Sequence, residues 1–156
     1  MSLARQQAQI DAPVESIWEL VGDPNRYPEW WPRIIETRCE GLEEGCSYKQ
    51  VMKGPVGVEE ESILIERLDD CREVRIRCLD TGSYMRWLLM DVRDGTFLDV
   101  EFGMEPAHIQ YKVFDLVAGK RFYRRWLEQS LASLRAAAER GPAPSGTEAA
   151  EKDLSD

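Results

Sequence analysis

The segment between residues 33 and 105 alternates short apolar runs with turn signals, and this pattern constrains the fold more than any other feature. Alternation with period two places apolar side chains on one face of a strand, and a register error of one residue would reverse that face. Asp94-Gly95 is typical of a two-residue hairpin turn. The predicted cross-strand partners are Leu98 with Asp91, Val100 with Leu89, Phe102 with Trp87, and Met104 with Met85.

Two further turns extend the same apolar face across neighbouring strands. Thr81-Gly82 and Asp69-Asp70 are both treated as two-residue turns. They predict further pairs, namely Cys78 with Met85, Ile76 with Trp87, Val74 with Leu89, Ile65 with Val74, and Ile63 with Ile76. All of these side chains fall on one face, while Glu73, Arg75 and Arg77 point away. The pattern therefore predicts an antiparallel meander with one buried face.

The N-terminal part predicts one strand followed by two short helices. Residues 2–10 alternate weakly and indicate the strand. Asp11 is a candidate helix cap, Pro13 suits a first turn, and Gly22 is a typical helix end. A second short helical segment is predicted from Asp23-Pro24 to Trp31, where Pro32 follows.

The C-terminal part predicts a long helix that covers the apolar face of the sheet. Residues 106–140 are rich in helix formers, and Gly119 suggests a bend. Residues 141–156 are acidic and lack aromatic side chains, so we predict a disordered tail after a domain over 1–140. The apolar stripe of the helix consists of Phe122, Tyr123, Trp126, Leu127, Leu131, Leu134 and Ala138.

Charge and residue content exclude several classes of partner. The formal net charge of −9 argues against nucleic acid and anionic membrane surfaces. The start has no signal-peptide core, and the longest apolar stretch is too short for stable membrane insertion, so we expect a cytoplasmic protein. The four cysteines fit reduced thiols, with a four-cysteine zinc site as the alternative. We expect no metal and no cofactor, and no oligomeric state follows from the pattern.

The opening residues carry a family resemblance. The segment Ile10–Trp18, followed by Asp23-Pro24 and Tyr27–Pro32, resembles the N-terminal signature of the bacterial polyketide cyclase/dehydrase-like group. The order of elements resembles the helix-grip fold of that group, of START lipid-transfer domains and of the birch-pollen-allergen family. The resemblance implies an α+β fold in which about seven antiparallel strands curve around a long C-terminal helix. It also implies a cavity between sheet and helix that accepts a small hydrophobic molecule.

Twelve residues are candidates to line that cavity. They are apolar or aromatic, and the predicted register or helix periodicity turns most of them inward. Trp30 and Trp31 are adjacent, so we predict that one packs under the sheet and the other borders the cavity mouth. The candidates are Trp30, Trp31, Ile63, Ile65, Val74, Ile76, Trp87, Leu89, Val100, Phe102, Tyr123 and Trp126.

Three residues are candidates for catalysis. In the cyclases that the chain resembles, an arginine near the place of Arg67 faces the pocket and polarises a substrate oxygen. The alternative is that Arg67 extends into water. Glu61 falls on the inner face opposite Cys78, where burial would favour proton transfer, or it belongs to a frayed, exposed strand start. His108 is a candidate general base or a solvated residue at a helix start.

Three functions therefore stand open. The first is a carrier or binding module for a hydrophobic, aromatic, polyketide-like or lipid-like molecule. The second is an aromatic polyketide cyclase/dehydrase in which Arg67 polarises a carbonyl and Glu61 or His108 moves the proton. The third is a protein-interaction module, as in helix-grip domains that activate a chaperone ATPase.

Overall fold

A seven-stranded antiparallel sheet forms the body of the protein, in a computed structural model that describes residues 2–55, 57–106 and 108–140. The strands are β1 Ser2–Ile10, β2 Ile34–Arg38, β3 Ser47–Lys53, β4 Val58–Asp69, β5 Glu73–Cys78, β6 Ser83–Val92 and β7 Gly95–Met104. Their order in the sheet is β1-β7-β6-β5-β4-β3-β2. The predicted α+β helix-grip arrangement is confirmed.

The helices lie where the sequence predicts them, with one local difference. They are α1 Val14–Val21, a 3₁₀ turn Pro24–Arg26, α2 Tyr27–Trp30, α3 Ile109–Phe114 and α4 Lys120–Glu139. The predicted cap at Asp11 is wrong. The amide of Ala12 donates to the carbonyl of Ile10, so Asp11 lies in a tight turn and Pro13 occupies the cap position. The predicted tail over 141–156 falls outside the described residues.

The predicted hairpin register is wrong by two residues along most of the sheet, while the predicted inner face is confirmed. Val100 pairs with Trp87, and Ile76 pairs with Met85. The β6–β7 turn is formed by Arg93-Asp94 rather than Asp94-Gly95, and β5 and β6 are joined by four residues rather than two. An error of two residues leaves every side chain on its predicted face, because the side-chain period of a strand is two.

A β-bulge in β4 changes the side of the sheet on which Arg67 lies. Ile65 pairs with Ile76, and the register shifts before Arg67, which pairs with Arg75. The extra residue in β4 turns the following side chains to the opposite face. Arg67 therefore lies on the outer face with its side chain 56% exposed, and its Nε donates to Glu73 at 3.1 Å.

Charged cross-strand pairs cover the outer face of the sheet. Glu73 bridges Arg67 and Arg86, and Glu66 pairs with Arg77. Such pairs contribute modestly to stability when they are exposed, but their charges keep this face of the sheet in contact with solvent. The helices consequently pack on the inner face alone.

Six aromatic rings join the helical layer to the inner face of the sheet. Trp31 lies at their centre and is only 2% exposed. Its ring contacts Trp87 edge-on at 5.4 Å and stacks on Trp126 of α4 at 5.8 Å. The aromatic cluster comprises Tyr27, Trp30, Trp31, Trp87, Phe102 and Trp126.

The predicted bend at Gly119 is a π-helical turn over Asp115–Gly119 that joins α3 to α4 without a break. Ser2 of β1 holds this turn, since its amide donates to Asp115 Oδ1 at 2.7 Å and its hydroxyl donates to the Asp115 carbonyl at 3.0 Å. A Cβ at Gly119 would lie 2.6 Å from Ser2 Oγ, so a larger residue there would displace the Ser2 hydroxyl that holds the turn. Beyond the turn, α4 buries the predicted stripe, with Phe122 half-buried.

We expect Trp31→Ala to lower the free energy of unfolding by about 3–5 kcal/mol, because it removes the ring at the centre of the aromatic cluster. Trp18→Ala is the matched control, since Trp18 is half-buried at the edge of the core and should lose about 1 kcal/mol. Guanidinium denaturation of both variants measures the difference. Equal losses of unfolding free energy would show that Trp31 contributes no more to stability than a half-buried tryptophan at the edge of the core.

Candidate functional site

A cavity of about 190 Å³ lies between the inner face of the sheet and the helix that covers it. It is displaced from the aromatic cluster toward the β5–β6 loop and the β3–β4 turn. The cavity is lined mainly by apolar groups. Some of its polar side chains cluster around Glu61 at one end, and others lie at Glu59 and on α3. Its lining residues are Met52, Gly54, Pro55, Glu59, Glu61, Cys78, Thr81, Ser83, Met85, Met104, Gln110, Tyr111, Phe114, Phe122, Tyr123 and Trp126.

Glu61 is the central polar group of this cavity. It is 6% exposed and lies on β4 directly opposite the fully buried Gln50 of β3. Burial raises the pKa of the Glu61 carboxyl to about 7, and the nearby charge of Glu59 acts in the same direction. Gln50 Nε2 lies 3.5 Å from Glu61 Oε2, and this hydrogen bond offsets only part of the rise in the pKa of Glu61. Glu61 therefore exchanges its proton close to neutral pH.

Hydroxyl and thiol groups lie around the same end of the cavity. The hydroxyls of Ser83 and Tyr123 are hydrogen-bonded to each other, and Thr81 Oγ1 donates to Ser83 Oγ at 3.0 Å. Burial and the charge of Glu61 raise the pKa of the Cys78 thiol to about 11, so it stays protonated. Burial also raises the pKa of Tyr123. These groups are thus neutral donors and acceptors beside one titrating carboxyl.

Most of the predicted lining residues form the solid core instead. Of the twelve candidates, Tyr123 and Trp126 line the cavity, and their contact with a ligand stays a prediction. Trp30 and Trp31 are both buried and stacked on each other at 5.3 Å, so the prediction that one borders the mouth is wrong. The aromatic rings fill the space that the sequence assigned to a ligand. The residues placed in the core are Trp30, Trp31, Ile63, Ile65, Val74, Ile76, Trp87, Leu89, Val100 and Phe102.

The three catalytic candidates are not brought together. Glu61 lies on the inner face as predicted, but Ile63 rather than Glu61 pairs with Cys78. The predicted inward position of Arg67 is wrong because of the β4 bulge. His108 is exposed at the start of α3 and is not among the residues that line the cavity.

Several cavity residues were not singled out from the sequence. Tyr111 and Phe114 lie on α3, before the stripe from which the cover helix was predicted. Thr81 was assigned to a two-residue turn, whereas it belongs to a four-residue loop that brings it and Ser83 into the lining. The helical spacing of Tyr111, Phe114 and Phe122 is the signal that could have found the two α3 residues.

The cysteines are free thiols, and Cys78 alone of the four is buried. Among the residues that the structure describes, no group of three or more His, Cys, Asp or Glu side chains is arranged to hold a metal ion. None of the helices in the same described ranges has the length and apolar character needed to cross a bilayer.

Solved structures share this fold at low sequence identity. A START superfamily protein from Mycobacterium smegmatis matches with 15% identity and a TM-score of 0.68, over 90% of this chain and 99% of that chain. Protein CV1439 from Chromobacterium violaceum matches with 18% identity and a TM-score of 0.68, over 89% and 99%. An AHSA1-like protein from Aeromonas hydrophila matches with 15% identity and a TM-score of 0.65, over 88% and 92%.

Sequence comparison gives a family-level result. No curated protein sequence matches the chain. The family model described as polyketide cyclase / dehydrase and lipid transport matches residues 1–139, which span the whole helix-grip domain. The chain therefore belongs to the polyketide cyclase/dehydrase and lipid transport family, a START-like family that is generally ligand-binding.

Proposed function

We propose that the protein binds a small, largely apolar molecule that carries a polar oxygen, in the cavity beneath α3 and α4. The observation that carries this proposal is the mainly apolar lining with a cluster of polar groups around Glu61. A cavity of about 150 Å³ is sufficient for benzene, so this one accommodates a single ring or a short chain. The neutral Glu61 carboxyl and the Ser83–Tyr123 hydroxyl pair can donate to a carbonyl or hydroxyl oxygen.

The class of ligand follows from these surroundings. Aromatic, polyketide-like and short lipid-like molecules all combine an apolar body with isolated oxygens, and both chemistries appear in the description of the family. The net charge of −9 makes nucleic acid a poor partner. Four free thiols support a reducing compartment such as the cytoplasm.

A second candidate function is proton transfer on a bound ketone. The observation that favours it is a cavity carboxyl whose pKa of about 7 suits a general base or acid near neutral pH. Ionised Glu61 would remove the proton next to the carbonyl, and the enolate oxygen would accept a hydrogen bond from Tyr123. Arg67 and His108 have no part in this version, since neither reaches the cavity.

Binding can be tested with acetophenone as the probe, a single apolar ring that carries one carbonyl oxygen, by following the quenching of tryptophan fluorescence. We expect Cys78→Phe to weaken its binding at least about tenfold, because the added ring occupies the cavity. Leu79→Phe is the matched control: it adds the same ring at the neighbouring residue, which is 50% exposed and outside the lining. Fluorescence titration gives both dissociation constants, and circular dichroism checks that each variant is folded.

If Cys78→Phe bound the probe as well as the wild type did, the cavity would not be its site and the proposal would fail. If neither the wild type nor Cys78→Phe bound the probe, the third alternative, a protein-interaction module, would be the better explanation. Native mass spectrometry of the purified protein would identify any molecule retained in the cavity.

The titration of Glu61 predicts a pH dependence of stability. Folding raises this pKa from 4.5 to about 7, so the folded state holds a proton that the unfolded chain releases. The stabilisation is complete below the unfolded pKa and is lost as the pH rises through 7. Relative to Glu61→Gln, the wild type should therefore lose about 2–3 kcal/mol between about pH 5 and about pH 8.

Urea denaturation of wild type and variant at both pH values measures this change, and subtraction cancels the other titrating groups. Glu60→Gln is the control because Glu60 is exposed on the other face of β4. A difference between wild type and Glu61→Gln that stayed constant with pH would contradict the buried, proton-holding carboxyl.

A further inference from the structure

Three arginines border a second hollow that adjoins the cavity. This arginine hollow, of about 200 Å³, is lined by Arg33, Arg121 and Arg125 together with Pro55, Phe114, Ala118, Phe122, Trp126 and Gln129. Pro55, Phe114, Phe122 and Trp126 also line the cavity, so the two spaces share a wall. An apolar interior and a cationic exterior therefore meet at the same aromatic side chains.

Arg33 is held in place by its surroundings. Its guanidinium lies over the Phe122 ring, 4.9 Å from the ring centroid, and Nη1 donates to the carbonyl of Lys53 at 2.8 Å. Its backbone is left-handed, with φ of 77°, which is unusual for a residue with a side chain. Trp126 fixes the preceding residue by donating from Nε1 to the Pro32 carbonyl at 2.8 Å. A guanidinium has five N–H donors, so most of those on Arg33 remain open.

Arg121 and Arg125 stand four residues apart on α4, where like charges repel each other. Neither they nor Arg33 form an ion pair with any carboxylate of the described residues. The arginines of the outer sheet face differ, since Arg67 and Arg86, for example, both pair with Glu73. The chain carries an excess of acids, yet it leaves these three cations together. An anion in the hollow would relieve their repulsion.

We propose that the arginine hollow binds the anionic end of an amphipathic ligand whose apolar body occupies the cavity. This inference rests on the proposed binding function and names its ligand class: a carboxylate or phosphate monoester on a short apolar chain or ring. Arginine suits both heads because its planar fork matches their oxygens. Because the two spaces border the same aromatic side chains, a ligand at that border would hold its head near Arg33 and its body in apolar surroundings.

The test compares octanoate, octyl phosphate and octan-1-ol, which share one apolar chain and differ in the head. Isothermal titration calorimetry on the wild type should show at least one anion binding about tenfold or more tightly than the alcohol. In the Arg121→Gln/Arg125→Gln double variant, that preference should fall to about twofold, with little change for the alcohol. Which anion is preferred distinguishes a carboxylate ligand from a phosphate ligand.

Arg124→Gln is the matched control, because Arg124 lies on the same helix but outside the lining of the arginine hollow. It should keep the preference for the anion. Equal binding of the alcohol and both anions by the wild type would overturn the anion site while leaving the apolar cavity in place. A preference that survived in the double variant, or vanished equally in Arg124→Gln, would also overturn it. Failure of all three compounds to bind would instead count against the proposed function itself.

Discussion

The contact of Trp31 with the rings around it determines how the helical layer lies on the sheet. Trp31 stacks on Trp126 of the cover helix and meets Trp87 of the sheet edge-on, so one side chain spans both layers. Aromatic rings bury large apolar areas and prefer such stacked and edge-on geometries. Where these rings pack, no space is left for a ligand. The cavity lies beside Trp126, where the sheet and its β5–β6 loop contribute smaller side chains such as Ser83 and Thr81 opposite the rings of the helices.

The position of the cavity gives its few polar groups their properties. Glu61 is buried beside apolar groups rather than beside a cation, so its pKa rises to about 7. The unpaired arginines lie on the other side of Phe122, outside the enclosed space. The protein thus separates a mainly apolar interior with hydroxyl groups near Glu61, which suits carbonyl or hydroxyl oxygens, from a cationic rim that suits an anion. A net charge summed over the chain hides this separation, because the rim is a local exception to an acidic surface.

The sequence predicted the faces of the strands better than their partners. Alternation survives a register error of two residues, so Ile76, Trp87 and Val100 were placed on the correct face with the wrong neighbours. The β4 bulge was not predictable, because nothing in the residues around Arg67 distinguishes one extra residue from a regular strand. The location of the cavity could not be predicted from the sequence either, because it depends on how completely the tryptophans fill the space between the sheet and the helices. Glu61 was found because alternation alone turns it inward.

The π-helical turn gives the cover of the cavity two unequal halves. Past Gly119, α4 buries seven side chains and is fixed to the core, whereas α3 has no fully buried residue and packs on the core only through the half-buried Tyr111 and Phe114. Segments with few buried contacts open at low free energy. Local opening of the cover therefore costs less free energy at α3 than at α4, which is fixed to the core.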